Sequence, residues 1–210
     1  MSSFETYLIS PVIADAALFR PRLEAALTVL NPVSLLLDIA RADERDQINL
    51  IKALAPLAQE ANVAVLVNTA PHVAVRGGAD GVHVASPLLI APAREVLKTE
   101  RIVGVGGLAS RHDAMDAGEN GADYVMFGEP RGDGSFMTLS ALVDRASWWA
   151  EVFETPCVAY ASSADAVEPV ALTRAEFVAL APWCFDDPRA AASAVASARE
   201  SLQAKSKLPA

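Results

Sequence analysis

The chain alternates between two kinds of apolar pattern. Short runs of consecutive apolar residues, such as IVGV and YVMF, are separated by longer segments in which apolar residues recur every three or four positions. Uninterrupted runs are typical of strands in a parallel sheet buried on both faces, and the longer spacing is typical of helices that pack on such a sheet. The pattern predicts eight strands, at residues 6–9, 33–39, 63–67, 81–84, 102–105, 124–127, 156–161 and 176–180.

A helical segment is predicted after each strand. In the clearest unit, residues 101–134, a strand ends at Gly106-Gly107, a helix begins at Ser110 or Arg111, and the next strand stops at Gly128. Strict alternation of strands and helices predicts a parallel α/β fold. The other helical segments are predicted at residues 21–30, 43–61, 70–78, 87–98, 139–153, 164–172 and 188–202.

A small residue followed by a carboxylate stands at or just before the start of the fourth, sixth and eighth predicted strands, as Ala79-Asp80, Ala122-Asp123 and Ala175-Glu176. This recurrence predicts a barrel built from pairs of strand–helix units. The 210 residues suffice for a single (β/α)8 TIM barrel and leave no room for a second domain. We assign residues 1–204 to the barrel and expect residues 205–210 to form a flexible tail.

The composition narrows the class of partner. Hydrophobic residues make up 52% of the chain, enough to fill a barrel interior and a surrounding layer of helices. The net charge of −9 argues against binding nucleic acid or an anionic membrane, because both draw most of their affinity from Lys and Arg. We therefore expect a small-molecule or protein partner.

The sequence also predicts a cytoplasmic protein. We expect no signal peptide, because residues 1–6 are polar and the first apolar run is short and lacks a basic start. No stretch approaches the roughly 20 apolar residues of a membrane span. Cys157 and Cys184 stand far apart, with no Cys or His near either at metal-ligand spacing, which predicts two small buried side chains.

Function in such a barrel is expected at the carboxyl ends of the strands, where the loops converge into a mouth. Polar side chains and glycines are concentrated there. The residues at the predicted strand ends are Ser10, Asp38, Asn68, His83 to Ser86, Gly106-Gly107, Gly128-Glu129, Ser162-Ser163 and Pro182 to Asp187.

Several motifs resemble those of the thiamine-phosphate synthases and the related thiazole tautomerases. They are Val65 to Asn68, GGADGVHV at residues 77–84, and IVGVGG followed by GADYVMFGEP within residues 102–130. The resemblance runs from Tyr7 to Ala198 and implies a TIM barrel acting in thiamine biosynthesis. A synthase of this family is a transferase that joins a hydroxymethylpyrimidine diphosphate to a thiazole phosphate and releases pyrophosphate. The resemblance therefore implies a small phosphorylated or heteroaromatic ligand.

The resemblance also implies Mg²⁺ and cations that grip the diphosphate, but the chain departs from the family at those positions. Where the family has Gln-x-Arg-x-Lys after the second strand, this chain reads LLLDI and ends in Asp38-Ile39. Thr69 and Leu88 stand where the family has its two Mg²⁺-binding Asp residues. Because hard divalent cations need several oxygens and usually one or two carboxylates, we expect no metal and no other cofactor. Standard synthase turnover should then be absent or very weak.

Three family positions at the pyrimidine end of the pocket keep their residues: Tyr7, Asn68 and His83. For His83 a second interpretation is open, since a histidine at a strand end can simply hydrogen-bond a neighbouring strand or loop. The candidate substrate-binding residues are Tyr7, Asp38, Asn68, His83, Gly106, Gly107, Ser162 and Ser163.

Glu129 stands where some tautomerases carry a catalytic His, just after the sixth strand. A buried Glu there can shuttle a proton, which makes Glu129 and His83 the candidate catalytic residues. The alternative for Glu129 is a loop carboxylate that is solvated or paired with Arg131. His72 and His112 lie in helix or loop positions and are expected at the surface.

Three functions stay open on this basis. The first is a synthase with a rearranged diphosphate site, and the second is a non-catalytic barrel that binds a ligand or a partner. The third is an enzyme of altered, proton-transfer chemistry, with Asp38, Asn68, His83 and Glu129 as its acid and base set. The adjacent Trp148-Trp149 should pack the sixth helix on the barrel or on a second copy, which would make a homodimer.

Overall fold

The computed structural model describes residues 4–206, and their eight parallel strands close into a barrel. Each strand pairs with the next one in sequence, and the last pairs with the first. The predicted (β/α)8 TIM barrel is therefore confirmed. The strands are β1 (Glu5–Ile9), β2 (Ser34–Leu37), β3 (Ala64–Val67), β4 (Gly81–Val84), β5 (Ile102–Val105), β6 (Tyr124–Phe127), β7 (Cys157–Ala161) and β8 (Phe177–Leu180).

Helices alternate with these strands and surround the barrel. Short 3₁₀ helices precede the fourth and the last of them, at Pro87–Leu89 and Pro182–Phe185. The helices are α1 (Ala16–Leu30), α2 (Glu44–Gln59), α3 (Pro71–Gly77), α4 (Ile90–Leu97), α5 (Arg111–Glu119), α6 (Leu139–Val152), α7 (Ala164–Ala171) and α8 (Pro188–Ser206).

Two helix ends differ from the prediction. Helix α1 begins before Pro21, because Asp15 Oδ1 accepts hydrogen bonds from the backbone N–H groups of Ala17 and Leu18 and so caps the helix. Helix α8 continues past its predicted end at residue 202 and runs to Ser206. Residues 205 and 206 of the predicted tail are therefore helical, and residues 207–210 lie outside the described residues.

Strand side chains point alternately into the barrel and out toward the helices, as a period of two requires. The outward side chains and the inner faces of the helices form one continuous apolar cluster, in which Trp149 of α6 is completely buried. The inward cluster includes tyrosines, whose hydroxyls need partners when buried. Its buried members are Tyr7, Ile9, Leu36, Leu66, Tyr124, Met126, Val158, Tyr160, Ala179 and Ala181.

The repeated carboxylates lie at the amino-terminal end of the barrel. Each accepts a hydrogen bond from a backbone N–H at or next to the start of the preceding strand: Asp80 from Val65 at 2.7 Å, Asp123 from Val103 at 2.7 Å and Glu176 from Cys157 at 2.8 Å. These charge-assisted bonds tie β3 to β4, β5 to β6 and β7 to β8. The sequence repeat thus has a structural cause, since it marks strands that are joined in pairs.

Both cysteines are buried and unpaired, as predicted. Burial raises the pKa of both thiols, to about 12 for Cys184, so they stay protonated and pack as small apolar groups. Among the helices within residues 4–206, none is long and apolar enough to cross a membrane.

Candidate active site

His83 and Glu129 meet at the carboxyl end of the barrel. His83 lies on β4 and Glu129 follows β6, and His83 Nε2 is 3.0 Å from Glu129 Oε2 and 3.2 Å from Oε1. The backbone N–H of Gly107 donates to Glu129 Oε1 at 2.8 Å. Only 6% of the His83 side chain and 14% of the Glu129 side chain are exposed. Two strand ends and one loop therefore hold the carboxylate in a nearly buried position, where its interactions are stronger than in water.

The alternative position for Glu129, solvated or paired with Arg131, is wrong. Arg131 donates from Nη1 to Ser135 Oγ at 3.3 Å, while Glu129 is bound to His83 and Gly107. Arg131 still belongs to the same opening, because a small cavity beside Glu129 is lined by Gly107, Leu108, Met126, Gly128, Glu129, Arg131 and Met137. A carboxylate and a guanidinium-bearing side chain thus share this cavity.

Two glycines make room for the site. A Cβ added to Gly106 would lie 1.4 Å from Glu129 Oε1 and 2.8 Å from His83 Nε2. A Cβ added to Gly104 on β5 would lie 1.9 Å from the ring of Tyr124. Neither spacing is compatible with the present positions of the side chains. Glycine at 104 and 106 therefore lets the Tyr124 ring enter the barrel and the Glu129 carboxylate reach His83.

His83 is also hydrogen-bonded to the buried Tyr124, which in turn is hydrogen-bonded to the buried Tyr7. Its Nδ1 lies 2.8 Å from the Tyr124 hydroxyl, which lies 2.9 Å from the Tyr7 hydroxyl. Burial raises the pKa of both tyrosines above its ordinary value, and the charge of Glu129 adds to this effect. Each hydroxyl therefore keeps its proton at neutral pH. Tyr7, Tyr124, His83 and Glu129 form one hydrogen-bonded chain from β1 across the barrel to the mouth.

Asp38 and Asn68 form a second polar pair at the mouth. Asn68 Nδ2 donates to Asp38 Oδ1, and Asn68 Oδ1 accepts from the backbone N–H of Ile39 at 2.8 Å. The backbone N–H of Asp38 donates to Ser10 Oγ at 2.9 Å. Burial raises the pKa of Asp38, and the hydrogen bond from Asn68 opposes this shift. These contacts join the loops that follow β1, β2 and β3.

The strand register relates the two pairs to each other. Leu66 of β3 lies opposite Gly81 of β4, and Val67 lies opposite Val82. The same register continued by one residue sets Asn68 beside His83, on the inward face that Leu66 shares. The four side chains predicted to converge thus form two hydrogen-bonded pairs that adjoin on neighbouring strands.

Other predicted residues lie apart from these pairs. Ser162 and Ser163 are exposed at the start of α7, and neither hydroxyl forms a hydrogen bond with another described residue. His72 and His112 have side chains 50% and 78% exposed, as expected for surface residues. Trp149 packs on the barrel and donates from Nε1 to the Thr155 carbonyl at 2.7 Å.

Tyr124 is a site residue that the sequence pattern did not single out, because YVMF has the pattern of an ordinary buried strand. A signal was available, since β5 and β6 pair with Gly104 directly opposite Tyr124, a glycine beside a large residue. Tyr160 of β7 was also missed. Burial and the charge of Glu129 raise its pKa, and its hydroxyl has no hydrogen-bond partner among the described residues.

The residues at the mouth do not fit Mg²⁺. Within the described part of the chain, no three His, Cys, Asp or Glu side chains form a group that could hold a metal ion. Thr69 offers a buried hydroxyl without a hydrogen-bond partner, and Leu88 is 85% exposed and has no ligand atom. The carboxylate of Asp38 already accepts a bond from Asn68. At the two positions where the resemblance implies Mg²⁺-binding Asp residues, a hydroxyl and an apolar side chain are a poor ligand set for a hard divalent cation.

Comparisons with known proteins identify relatives over most of the chain. A family model described as thiamine monophosphate synthase matches residues 6–182. The thiamine-phosphate synthase of Rhodospirillum centenum is 36% identical over 200 residues, which cover 93% of this chain and 96% of that relative. The thiamine-phosphate synthase of Erythrobacter litoralis is 38% identical over 208 residues, which cover 91% of this chain and 93% of that relative.

Solved structures share the same architecture. The thiamine phosphate pyrophosphorylase of Pyrococcus furiosus superposes with a TM-score of 0.77 at 22% identity, over 95% of this chain and 96% of that one. A 3-hexulose-6-phosphate synthase superposes with a TM-score of 0.67 at 17% identity, over 91% of this chain and 98% of that one. At such identities the superpositions show the fold alone.

Proposed function

The chain belongs to the thiamine monophosphate synthase family, and we propose that it acts in thiamine biosynthesis as a thiamine-phosphate-synthase-like protein. The observation that carries the proposal is the family match over residues 6–182, which includes the strand ends with Asn68, His83 and Glu129. The ligand we propose is a small phosphorylated heteroaromatic compound, bound at the mouth of the barrel.

The chemistry of the mouth supports such a ligand. Asp38 and Glu129 supply carboxylate acceptors that suit ring N–H or amino groups. Arg131 lines the cavity beside Glu129 and supplies a cation that suits a phosphate. A ligand whose ring carries N–H or amino groups and whose tail is a phosphate can bind the carboxylates through its ring and Arg131 through its tail.

Calorimetric titration with hydroxymethylpyrimidine phosphate, whose ring carries an amino group, tests this proposal. We expect saturable binding to the intact protein, weakened by Glu129→Gln or Arg131→Gln and unaffected by Arg174→Gln at the opposite end of the barrel. Absence of binding for both hydroxymethylpyrimidine phosphate and thiamine phosphate would contradict the proposed ligand class.

We extend the proposal to metal binding, where the poor ligand set favours the absence of a tight Mg²⁺ site. Titration with Mg²⁺ in the presence of pyrophosphate should give no saturable signal beyond that of the same titration without protein. A complex with a dissociation constant of about 1 µM would overturn this part of the proposal.

Proton transfer is a second candidate function, favoured by the bonded and nearly buried His83–Glu129 pair. In such a tautomerisation, Glu129 takes a proton from a carbon of the ligand and returns it at another position of the same ligand, with no net change in composition. Incubation of thiazole phosphate in deuterated water, followed by NMR, should then show deuterium in the ligand. Glu129→Gln should abolish the incorporation, and equal rates with and without protein would contradict this role.

A cytoplasmic location and a homodimer belong to the proposal as well. The unpaired thiols of Cys157 and Cys184 suit a reducing compartment. On α6, Trp148 is half-buried beneath the Arg111 guanidinium, and Val152 on the same helix is 60% exposed. Cell fractionation tests the location, and sedimentation of Val152→Glu beside the wild type tests whether this helix joins two copies.

A further inference from the structure

The hydrogen-bonded chain from Tyr7 to Glu129 contains donors and acceptors whose roles can be assigned. Each tyrosine hydroxyl has one proton to donate, a neutral imidazole has one N–H and one acceptor nitrogen, and an ionised carboxylate can only accept. The chain has an inner end at Tyr7, which is 2% exposed, and an outer end at Glu129. Counting protons from the inner end fixes the direction of every bond.

Tyr7 determines the direction, because its hydroxyl has a single partner among the described residues. That partner is the Tyr124 hydroxyl at 2.9 Å, so the Tyr7 proton must be donated there or remain buried without an acceptor. Tyr124, which accepts this bond, directs its own proton to the other neighbour, His83 Nδ1, at 2.8 Å. His83 Nδ1 is therefore an acceptor.

An acceptor at Nδ1 places the imidazole proton on Nε2. Nε2 faces both oxygens of Glu129, at 3.0 and 3.2 Å, and an N–H there donates to the ionised carboxylate. All four groups are satisfied when His83 is the neutral Nε2–H tautomer and Glu129 is charged.

The opposite direction leaves a group without a partner. If His83 took up a second proton, Nδ1–H would donate to Tyr124, and the Tyr124 proton would turn toward Tyr7. The Tyr7 hydroxyl proton would then have no acceptor in the barrel interior, which disfavours that state. A proton on Nδ1 would therefore cost one buried hydrogen bond in the interior of the barrel.

We propose that Tyr124 is a positioning residue that donates to Nδ1, fixes His83 as the neutral Nε2–H tautomer and thereby leaves Glu129 as the acceptor and base at the mouth. The use of this base rests on the proposed proton-transfer function. The tautomer does not, because it follows from the ligand-free protein alone.

Nitrogen-15 NMR of protein labelled at histidine tests the tautomer directly. A protonated ring nitrogen and an unprotonated one give widely separated signals, and one-bond coupling shows which of them carries hydrogen. We expect His83 to show a protonated Nε2 and an unprotonated Nδ1 at neutral pH, with its signals assigned by their loss in His83→Gln. His72 and His112, which are exposed, serve as internal references in the same spectrum.

Two variants separate the roles of the tyrosines. Tyr124→Phe keeps the ring but removes the donor to Nδ1, so the Nδ1 signal of His83 should shift away from its wild-type position, while Nε2 still faces Glu129. Tyr7→Phe should leave the tautomer unchanged, because the Tyr124 proton then has only His83 as its acceptor. An Nδ1–H tautomer or an imidazolium in the wild type would overturn the proposal, and so would a Tyr124→Phe spectrum identical to that of the wild type.

The test stays decisive if Tyr124→Phe does not fold, since the wild-type spectrum alone reports the tautomer. It also separates two kinds of failure. A wild-type Nε2–H tautomer without deuterium exchange into thiazole phosphate would reject proton transfer and keep the positioning role. Deuterium exchange together with an Nδ1–H tautomer in the wild type would support proton transfer and reject the positioning role.

Discussion

Both ends of the barrel carry carboxylates, but their partners differ. At the amino-terminal end, Asp80, Asp123 and Glu176 accept backbone N–H groups of neighbouring strands. At the mouth, Asp38 and Glu129 accept bonds from the side chains of Asn68 and His83. A backbone donor is fixed by the sheet, whereas a side-chain donor can rotate, exchange a proton or yield to a ligand. The first arrangement suits stability and the second suits chemistry.

The sequence reflects the same division. The carboxylates of the amino-terminal end follow a small residue in a phrase that recurs at every second strand, because each performs the same structural task. Asp38 and Glu129 belong to no repeat and lie at the carboxyl ends of the barrel strands. Removing a carboxylate from the amino-terminal end should therefore mainly lower stability, and removing one from the mouth should mainly lower binding or activity.

The largest effect we expect concerns the condensation reaction, because carboxylates occupy a mouth where a diphosphate would need cations. Purified protein with hydroxymethylpyrimidine diphosphate, thiazole phosphate and Mg²⁺ should form thiamine phosphate well below about 1 s⁻¹. Each absent cationic or metal-binding group is worth on the order of 10²-fold in rate, and several together leave little catalysis. Thr69→Asp alone should not restore turnover, since groups that act as a unit are strongly non-additive.

Turnover of about 1 s⁻¹ or more would break this account of the mouth and show that other cations supply the charge. Arg41, exposed after β2, and Arg131, in the cavity beside Glu129, would then be the first candidates. Arg41→Gln and Arg131→Gln should in that case reduce the rate. Arg174→Gln, at the amino-terminal end of β8, is the matched control.

The second-largest effect concerns ligand binding at the mouth, which we expect to depend on the position of the Glu129 carboxylate. In Gly106→Ala the new methyl group would coincide with Glu129 Oε1, so the carboxylate must leave His83 and Gly107. Loss of a charged hydrogen-bonding group is worth about 1.5–3 kcal/mol, which corresponds to hydroxymethylpyrimidine phosphate binding weaker by roughly 10- to 100-fold. Calorimetry measures this change. Thermal unfolding should also shift to lower temperature, because His83 Nε2 and the Gly107 N–H lose their acceptor.

Gly132→Ala is the control for this variant, because no atom lies within 4 Å of the added Cβ. It should bind hydroxymethylpyrimidine phosphate as the wild type does. Unchanged binding in Gly106→Ala, with Glu129 still in contact with His83 in its structure, would contradict the importance of the carboxylate position.

The fold could be predicted further than the site, for a physical reason. Strand patterns and the repeated carboxylates are local in sequence, so β6 was predicted at residues 124–127, as observed. The chain of hydrogen bonds is not local, because Tyr7 and Tyr124 are 117 residues apart and His83 and Tyr124 are 41 apart. Gly106 illustrates the limit. In the sequence it ends a strand, and only the folded barrel shows that the carboxylate of Glu129 occupies the space that a side chain at position 106 would need.

Removing a carboxylate from the amino-terminal end should lower Tm and leave ligand binding unchanged. Glu176→Ala leaves the backbone N–H of the fully buried Cys157 without its acceptor, which costs about 1–3 kcal/mol of unfolding free energy. For a chain of this size each kcal/mol corresponds to a fall in Tm of about 2–4 °C. Binding of hydroxymethylpyrimidine phosphate should not change. Glu129→Ala should show the reverse, with weaker binding and a smaller change in Tm, and equal losses of stability in both variants would remove the distinction between the two ends.

The smallest effect concerns the charge on Asp38, which burial makes less favourable than in the unfolded chain. Its folded pKa is raised, so a stability penalty appears as the pH rises above the unfolded value of about 3.9 and is complete above the folded pKa. Asp38→Asn removes this penalty and keeps an oxygen that can accept from Asn68 Nδ2. Because the carboxylate is partly exposed and solvent screens it, we expect a gain of only about a few tenths of a kcal/mol at pH 7. Urea unfolding should show the gain shrinking toward zero below about pH 4. A destabilised Asp38→Asn at pH 7 would show that the ionised carboxylate is held more favourably than its burial indicates.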